Sequence, residues 1–208
     1  MVGNNLKPQA KTIEFWFDFG SNYSYLTTMR IEQAASSLGV TVLWRPFLLG
    51  PIFKTFGWET SPFVLQKAKG EYVWKDMARE CQKYGLAWKQ PTNFPRASVL
   101  PLRVALSGAD ESWVAEFCRQ VMTTNFVDDQ DVDSTDVIRS ILDRMGLPSE
   151  QILAAALSDK NKLALRHQTE AAQAKGIFGA PTFFVGYEMY WGNDRLDDAL
   201  QYASSNNG

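Results

Sequence analysis

Ser21 is the first residue whose type and place could do chemistry. It follows the run Phe15-Trp16-Phe17-Asp18-Phe19-Gly20, where an apolar, aromatic stretch stops and amphipathic helical spacing begins. A serine at a strand-to-helix junction can cap the first free N–H groups of the helix, or offer its hydroxyl to a ligand held in their field. Taken alone, capping is the ordinary role. Two other places raise the same choice. Ala180-Pro181 follows Gly179 and precedes an apolar strand. A cis bond there would expose the Ala180 N–H and C=O to an extended peptide, whereas a trans proline would simply open an edge strand. Asn193-Asp194 begins the last helix, where both residues are good caps and where free N–H groups can receive a carboxylate.

Other chemistries lack their residues. Cys81 and Cys118 are far apart, each within a helical pattern, and Ser21-Asn22-Tyr23-Ser24 holds no C-x-x-C pair, so thiol–disulfide exchange and a Cys-based metal site have no basis. The one histidine, His167, is isolated and reads as a polar residue on a helix face. No metal site is expected.

The elements that must position these residues follow from periodicity. Thr12 to Phe19 reads as a strand buried on both faces. Ile31, Ala34, Ala35 and Leu38 give the next helix an apolar stripe that Gly39 closes, and Val40 to Phe47 is a second strand. Strand, helix and strand make a βαβ unit with a parallel pair. From Leu48 the chain is broken by Gly50, Pro51, Gly57 and Pro62. Helical spacing resumes over Phe63 to Lys83, with Gly70 a weak point, and Gly85 closes it. Lys89 to Pro95 is a loop bracketed by prolines. Helices are expected at about Ala97 to Ser107, Asp110 to Phe126, Ser134 to Met145, Ser149 to Leu157 and Asp159 to Lys175. Two short strands then meet near Gly186 and Tyr187 as a hairpin, and a last helix carries Leu196, Ala199, Leu200 and Ala203 on one face. The order is βαβ, long helical insert, ββα. The fold class is therefore α/β: a thioredoxin fold spanning 1–50 and 160–208, with a helical domain, 51–159, inserted in its middle. In that architecture Ser21, Ala180-Pro181 and Asn193-Asp194 converge on one edge of the sheet.

Composition narrows the partners. The 208 residues, 45% of them apolar, can bury one good core. A net charge of −2 with scattered Lys and Arg offers no basic block for nucleic acid or an anionic membrane. The start, Met1 to Thr12, is polar, without the apolar segment of a secretory signal, and no stretch is a membrane span. A soluble, cytoplasmic protein is expected. Aromatics at 13%, with seven Trp, suit an aromatic core and also a pocket for a flat organic molecule.

Three segments carry a resemblance: Phe17-Asp18-Phe19-Gly20-Ser21-Asn22-Tyr23-Ser24-Tyr25-Leu26, Phe178-Gly179-Ala180-Pro181-Thr182-Phe183-Phe184-Val185 and Trp191-Gly192-Asn193-Asp194-Arg195-Leu196. In order and spacing they resemble the 2-hydroxychromene-2-carboxylate isomerases, sisters of the kappa-class glutathione transferases in the DsbA-like branch of the thioredoxin superfamily. The resemblance implies glutathione as cofactor. Ser21 would hydrogen-bond the bound thiol and favour its thiolate, helped by a helix N-terminus carrying about half a unit of positive charge. Ala180, before Pro181, would pair through its backbone with the glutathione cysteine. Asp194 would face the γ-glutamyl ammonium, and N–H groups from Asn193 onward would take the adjacent carboxylate. Lys54, Asn93 and Phe94 match substrate contacts: a cation for a carboxylate, an amide and an aromatic wall.

Two positions depart from the pattern. Asn22 stands where many members have proline, and Trp58 falls about where relatives carry an asparagine that contacts glutathione or substrate, which leaves a different aromatic substrate open. The implied activity is a glutathione-dependent isomerisation of an unsaturated aromatic acid by reversible thiolate addition. A kappa-like transferase is the first alternative, and a non-catalytic module that binds extended peptides is the second. Relatives of this kind are usually homodimers, so the same is expected here.

Overall fold

The computed structural model describes residues 11–205, so the polar start of the chain lies outside the described part. β1 (Thr12–Phe17) runs parallel to β2 (Thr41–Pro46), with Thr12 opposite Thr41 and Phe17 opposite Pro46. β3 (Thr182–Val185) pairs antiparallel with β1, and β4 (Glu188–Trp191) antiparallel with β3, giving the order β2-β1-β3-β4. Since β1 is central, successive side chains bury on opposite faces. Phe15 and Phe17 lie together on one face, and Phe15 also meets Trp44 and Phe183, with ring centroids 5.0, 5.2 and 5.7 Å apart. Trp16 packs on the other with Phe47, Ile52, Ala172 and Phe184. Each fully buried phenylalanine contributes about 1.5–3 kcal/mol.

Between β2 and β3 the chain is helical, and α11 (Leu196–Ser205) follows β4 through a 3-10 turn, Asn193–Arg195. This is the βαβ and ββα order of a thioredoxin fold with a helical insertion. The insertion and the sheet share one buried cluster that reaches from Phe15 and Phe183 through Tyr25 and Phe126 to Ile141 and Leu153.

Several elements differ from the sequence reading. β1 ends at Phe17, because Asp18 to Gly20 form the turn that delivers Ser21. The first helix is two, α1 (Asn22–Thr28) and α2 (Ile31–Ser37). They break at Arg30, whose guanidinium is drawn to Asn193, Asp197 and the Tyr84 ring. Leu38, expected in the apolar stripe, is 42% exposed because α2 ends before it. The stretch read as broken after Leu48 holds α3 (Leu49–Thr55), with Pro51 in the first turn, where its missing N–H costs nothing. The helix expected from Phe63 is α4 (Pro62–Leu65) and α5 (Lys67–Tyr84), separated at the extended Gln66. Gly70 is no weak point. A Cβ there would lie 2.2 Å from the Phe63 carbonyl oxygen, so glycine lets α4 lie against α5. The other helices, α6 (Val99–Ser107), α7 (Val114–Phe126), α8 (Thr135–Arg144), α9 (Ser149–Leu157) and α10 (Asp159–Ala174), keep the expected order. Among the described residues no helix is long and apolar enough to cross a membrane.

Candidate active site

The turn after β1 is closed by the Ser21 N–H donating to the Asp18 carbonyl at 3.0 Å. Ser21 then takes the extended backbone of an N-cap, and its Oγ accepts the Ser24 N–H at 3.2 Å. Its hydroxyl proton is given to the Ala180 carbonyl at 2.9 Å. The capping role expected of this serine is thus present, through the oxygen, while the proton reaches across the sheet edge to Ala180. Accepting one hydrogen bond polarises the hydroxyl and strengthens the one it donates.

Ala180-Pro181 is cis, and the Pro181 carbonyl accepts the Gly192 N–H at 3.0 Å, which draws the start of the 3-10 turn to the same edge. Among the described residues the Ala180 N–H has no hydrogen-bond partner, and its carbonyl accepts only from Ser21. Ser21, Ala180, Pro181 and Asn193-Asp194 are therefore brought together. The two polar residues of the 3-10 turn divide their labour. The side chain of Asn193 is buried, its Oδ1 accepting from Thr27 Oγ1 at 3.2 Å and Arg30 Nη1 at 3.1 Å, so it fastens the turn to α1. Asp194 is exposed, with only Arg195 at 3.5 Å as a partner among the described residues, and keeps a carboxylate facing solvent.

Asp18 escaped the sequence reading. Its carboxylate is buried beneath the Ser21 turn, where Oδ1 accepts the Gly20 N–H and Ser98 Oγ and Oδ2 accepts the Leu49 N–H, each at 2.8 Å. Burial pushes its pKa above the usual 3.8, and the three donors oppose that shift. A second brace also comes from residues distant in sequence. Asn125 Nδ2 donates to the Phe19 carbonyl at 2.8 Å and Asn125 Oδ1 accepts from Arg96 Nη1 at 2.9 Å. Arg96 in turn pairs with Asp129, both side chains being more than nine-tenths buried. The Arg96 guanidinium holds the Asp129 carboxyl well below its usual pKa, with the Thr92 N–H assisting.

This brace seats the loop of Asn93 and Phe94, because a Cβ on Gly20 would lie 3.1 Å from the Arg96 carbonyl oxygen and 3.7 Å from Pro95 Cβ. The Phe94-Pro95 bond is cis. Phe94 meets Trp74 edge-on at 4.7 Å, and Trp74 stacks on Trp88 at 5.9 Å, while Tyr23 meets Phe63 at 6.2 Å. Phe94 therefore sits in one aromatic cluster with Trp74 and Trp88, and Tyr23 and Phe63 form a separate pair; no local pattern separated these rings from core aromatics. Asn93 is exposed on the same loop. Lys54 is not brought to Ser21 by any contact; it is exposed in the last turn of α3. Trp58 is 36% exposed, its ring between Phe53 at 5.8 Å and Phe56 at 5.6 Å.

The remaining nucleophiles are poorly placed. Tyr23 donates its hydroxyl to Asp76 Oδ2 at 2.7 Å, and burial together with that carboxylate raises its pKa, so it stays a phenol. Cys81 and Cys118 are buried and free; burial pushes Cys81 up to about 11 and holds Cys118 well above the usual thiol value. Among the described residues no three His, Cys, Asp or Glu side chains gather as a metal site. Two open grooves of about 480 and 470 Å³ lie against α7 and α8 and include none of the residues around Ser21.

Comparison with known proteins bears on the family and the fold. The family model described as a DSBA-like thioredoxin domain matches residues 12–203. A 2-hydroxychromene-2-carboxylate isomerase of Pseudomonas putida is 28% identical over 88% of the chain and 90% of that protein. A glutathione S-transferase kappa 2 of Caenorhabditis elegans is 21% identical over 94% of the chain and 92% of that protein. The solved structure of a 2-hydroxychromene-2-carboxylate isomerase superposes with a TM-score of 0.82 at 27% identity, covering 92% of this chain and 93% of that one.

Proposed function

The chain belongs to the DSBA-like thioredoxin domain family, and from that premise we propose that it is a glutathione-dependent isomerase of an unsaturated aromatic acid of the 2-hydroxychromene-2-carboxylate kind. The observation that carries the reading is the 2.9 Å contact between Ser21 Oγ and the Ala180 carbonyl. It puts a hydroxyl that can support a thiolate beside a backbone N–H and C=O that can pair with the peptide bearing it. The residues present fit glutathione. Ala180 offers an N–H with no partner among the described residues, Ser21 offers a polarised hydroxyl, and Asp194 offers an exposed carboxylate for an ammonium group.

When bound, glutathione would supply a thiolate whose reversible addition to and expulsion from the unsaturated carbon allow rotation about the double bond and leave glutathione unchanged. The protein's residues do the rest. Ser21 donates to the sulfur and lowers the thiol pKa without being modified. Ala180 aligns the peptide, and Asp194 fixes its γ-glutamyl end by a charge-assisted hydrogen bond. Phe94, supported by Trp74, gives the aromatic acid a wall, and Asn93 on the same loop orients its carboxylate and stabilises charge developing on oxygen.

The test combines calorimetric titration of glutathione with incubation of the protein, glutathione and 2-hydroxychromene-2-carboxylate. Binding, with a product of unchanged mass and glutathione recovered, is the expected result. A product heavier by one glutathione would make the protein a transferase, and no binding at millimolar glutathione would overturn the reading.

A further inference from the structure

Arg30 stands at the break between α1 and α2 and extends its guanidinium to the segment that carries Asp194. Nη1 donates to Asn193 Oδ1 at 3.1 Å, while Nη2 donates to the two carboxylate oxygens of Asp197 at 3.3 and 3.4 Å. Asn193 and Asp197 stand one helical turn apart, on one side of the 3-10 turn and α11 that run together. One planar fork therefore spans that turn. The guanidinium is backed on another side by the Tyr84 ring of α5, with the ring centroid 3.8 Å from its central carbon. Thr27 gives Asn193 Oδ1 a second donor, but it holds the helix at that point alone.

A helix held at two points along one side cannot roll about its axis. Residues on its other sides are thereby aimed, and Asp194 directly follows Asn193. The charges around the turn are sorted to match. Asp197 accepts from Arg30, and Asp198 accepts from Arg195 at 2.9 Å. Asp194 meets Arg195 only at 3.5 Å and accepts no hydrogen bond among the described residues. Of the three carboxylates, it is the one left for a cation from outside.

We propose that Arg30 is a positioning residue for the γ-glutamyl ammonium of glutathione: by bridging Asn193 and Asp197 it fixes the roll of the last helix, and so the direction of the Asp194 carboxylate. Arg30 acts through Asp194 and touches no ligand atom. The ligand feature it selects is a primary ammonium group at the end remote from the thiol. This rests on the glutathione site proposed above and adds to it the residue that makes the amino end selective.

The test is calorimetric titration with two ligands, glutathione and glutaryl-cysteinylglycine, which is glutathione without its ammonium group. The quantity read is the ratio of the two affinities, which a general loss of packing does not move. Wild type should prefer glutathione by about tenfold, the worth of one charge-assisted contact. Arg30→Lys keeps a cation near Tyr84 but cannot bridge both residues, so the preference should fall to about threefold or less. Asp197→Ala, at an exposed position, should lower it in the same way and carries the test if a variant at Arg30 fails to fold. Adding Asp194→Asn to Arg30→Lys should cost no further glutathione affinity beyond Asp194→Asn alone. A preference that survives Arg30→Lys and Asp197→Ala, including one in which both ligands weaken in parallel, would overturn the proposal. So would losses from Arg30→Lys and Asp194→Asn that multiply in full, or a wild type that binds both ligands alike. Failure of wild type to bind either ligand would remove the glutathione site and this proposal with it, a result visible without any variant.

Discussion

The Oδ2 atom of Asp18 accepts the Leu49 N–H at 2.8 Å and so joins the end of β1 to the start of α3. With Gly20 and Ser98 on its other oxygen, one buried carboxylate holds three segments beneath Ser21. Asp18→Ala would orphan three donors, at about 1–3 kcal/mol for each that water cannot reach. A loss of about 3 kcal/mol or more in urea unfolding is expected. The pH dependence has a definite sign. Burial raises the folded pKa above 3.8, so the native state binds the proton more tightly than the unfolded chain does. The stability Asp18 contributes through this proton is full below 3.8 and falls as pH rises through the folded pKa. Asp18→Asn should lack that slope; an identical pH profile in the two proteins would remove the assignment.

Asp18 also marks the limit of what the sequence discloses. The turn at Ser21, the Gly-Ala-Pro segment and the place where the last helix starts were legible because each is a local pattern of a few residues, although Asn193 binds Thr27 and Arg30 rather than capping that helix. The break at Arg30 was not, since its cause is Asn193, Asp197 and Tyr84, all remote in the chain. Nor was α3, where Gly50 and Pro51 read as breakers although a first turn tolerates both. Asp18 looked like one polar residue in an apolar run, and its three partners lie up to 80 residues away. Phe94 was singled out, but Trp74 behind it was indistinguishable from a core aromatic until the cluster was assembled.

Gly192 and Asp194 are coupled by space. Gly192 has φ +110°, and a Cβ there would lie 2.5 Å from Asp194 Oδ1. Gly192→Ala must strain the backbone and displace the carboxylate, so it should cost about 1 kcal/mol or more in stability. It should also weaken glutathione binding by about tenfold, the loss of one charge-assisted contact. Asp194→Asn separates the effects, because an exposed substitution should leave stability within about 0.5 kcal/mol while reducing affinity similarly. Calorimetry and urea unfolding on both variants check this. Full affinity in Asp194→Asn would take Asp194 out of the site.

Tyr23 lies two residues from Ser21 and is the other hydroxyl that could serve a thiolate. Its proton belongs to Asp76, and its raised pKa keeps it neutral. Tyr23→Phe should cost about 1 kcal/mol in stability. The thiol pKa of bound glutathione should not move, whereas Ser21→Ala should raise it toward the solution value. Ultraviolet titration of the two variants decides which hydroxyl supports the sulfur, and a shift on Tyr23→Phe alone would reassign the role.

Arg96 reaches the site through its backbone and its guanidinium together. Its carbonyl packs at Gly20, while its side chain ties the Phe94 loop to Asn125 and Asp129. Asp129 also accepts the Thr92 N–H at 2.9 Å, so the loop is held at both ends. Arg96→Met removes the cation that depresses the Asp129 pKa. A depressed folded pKa contributes stability that is present above 3.8 and lost as pH falls through the folded value. Asp129 should therefore add stability to wild type as pH rises toward 3.8, a gain that Arg96→Met should show to a smaller extent, as read from urea midpoints at successive pH values below 3.8. Function should separate by ligand. Ala180 and Asp194 are positioned without Arg96, so glutathione affinity should hold, while the displaced Phe94 wall should raise the KM for the aromatic acid several-fold. If both ligands weaken in proportion, Arg96 supports the whole Ser21 turn rather than the acceptor wall. If neither changes, Phe94 is held in place by Trp74 alone.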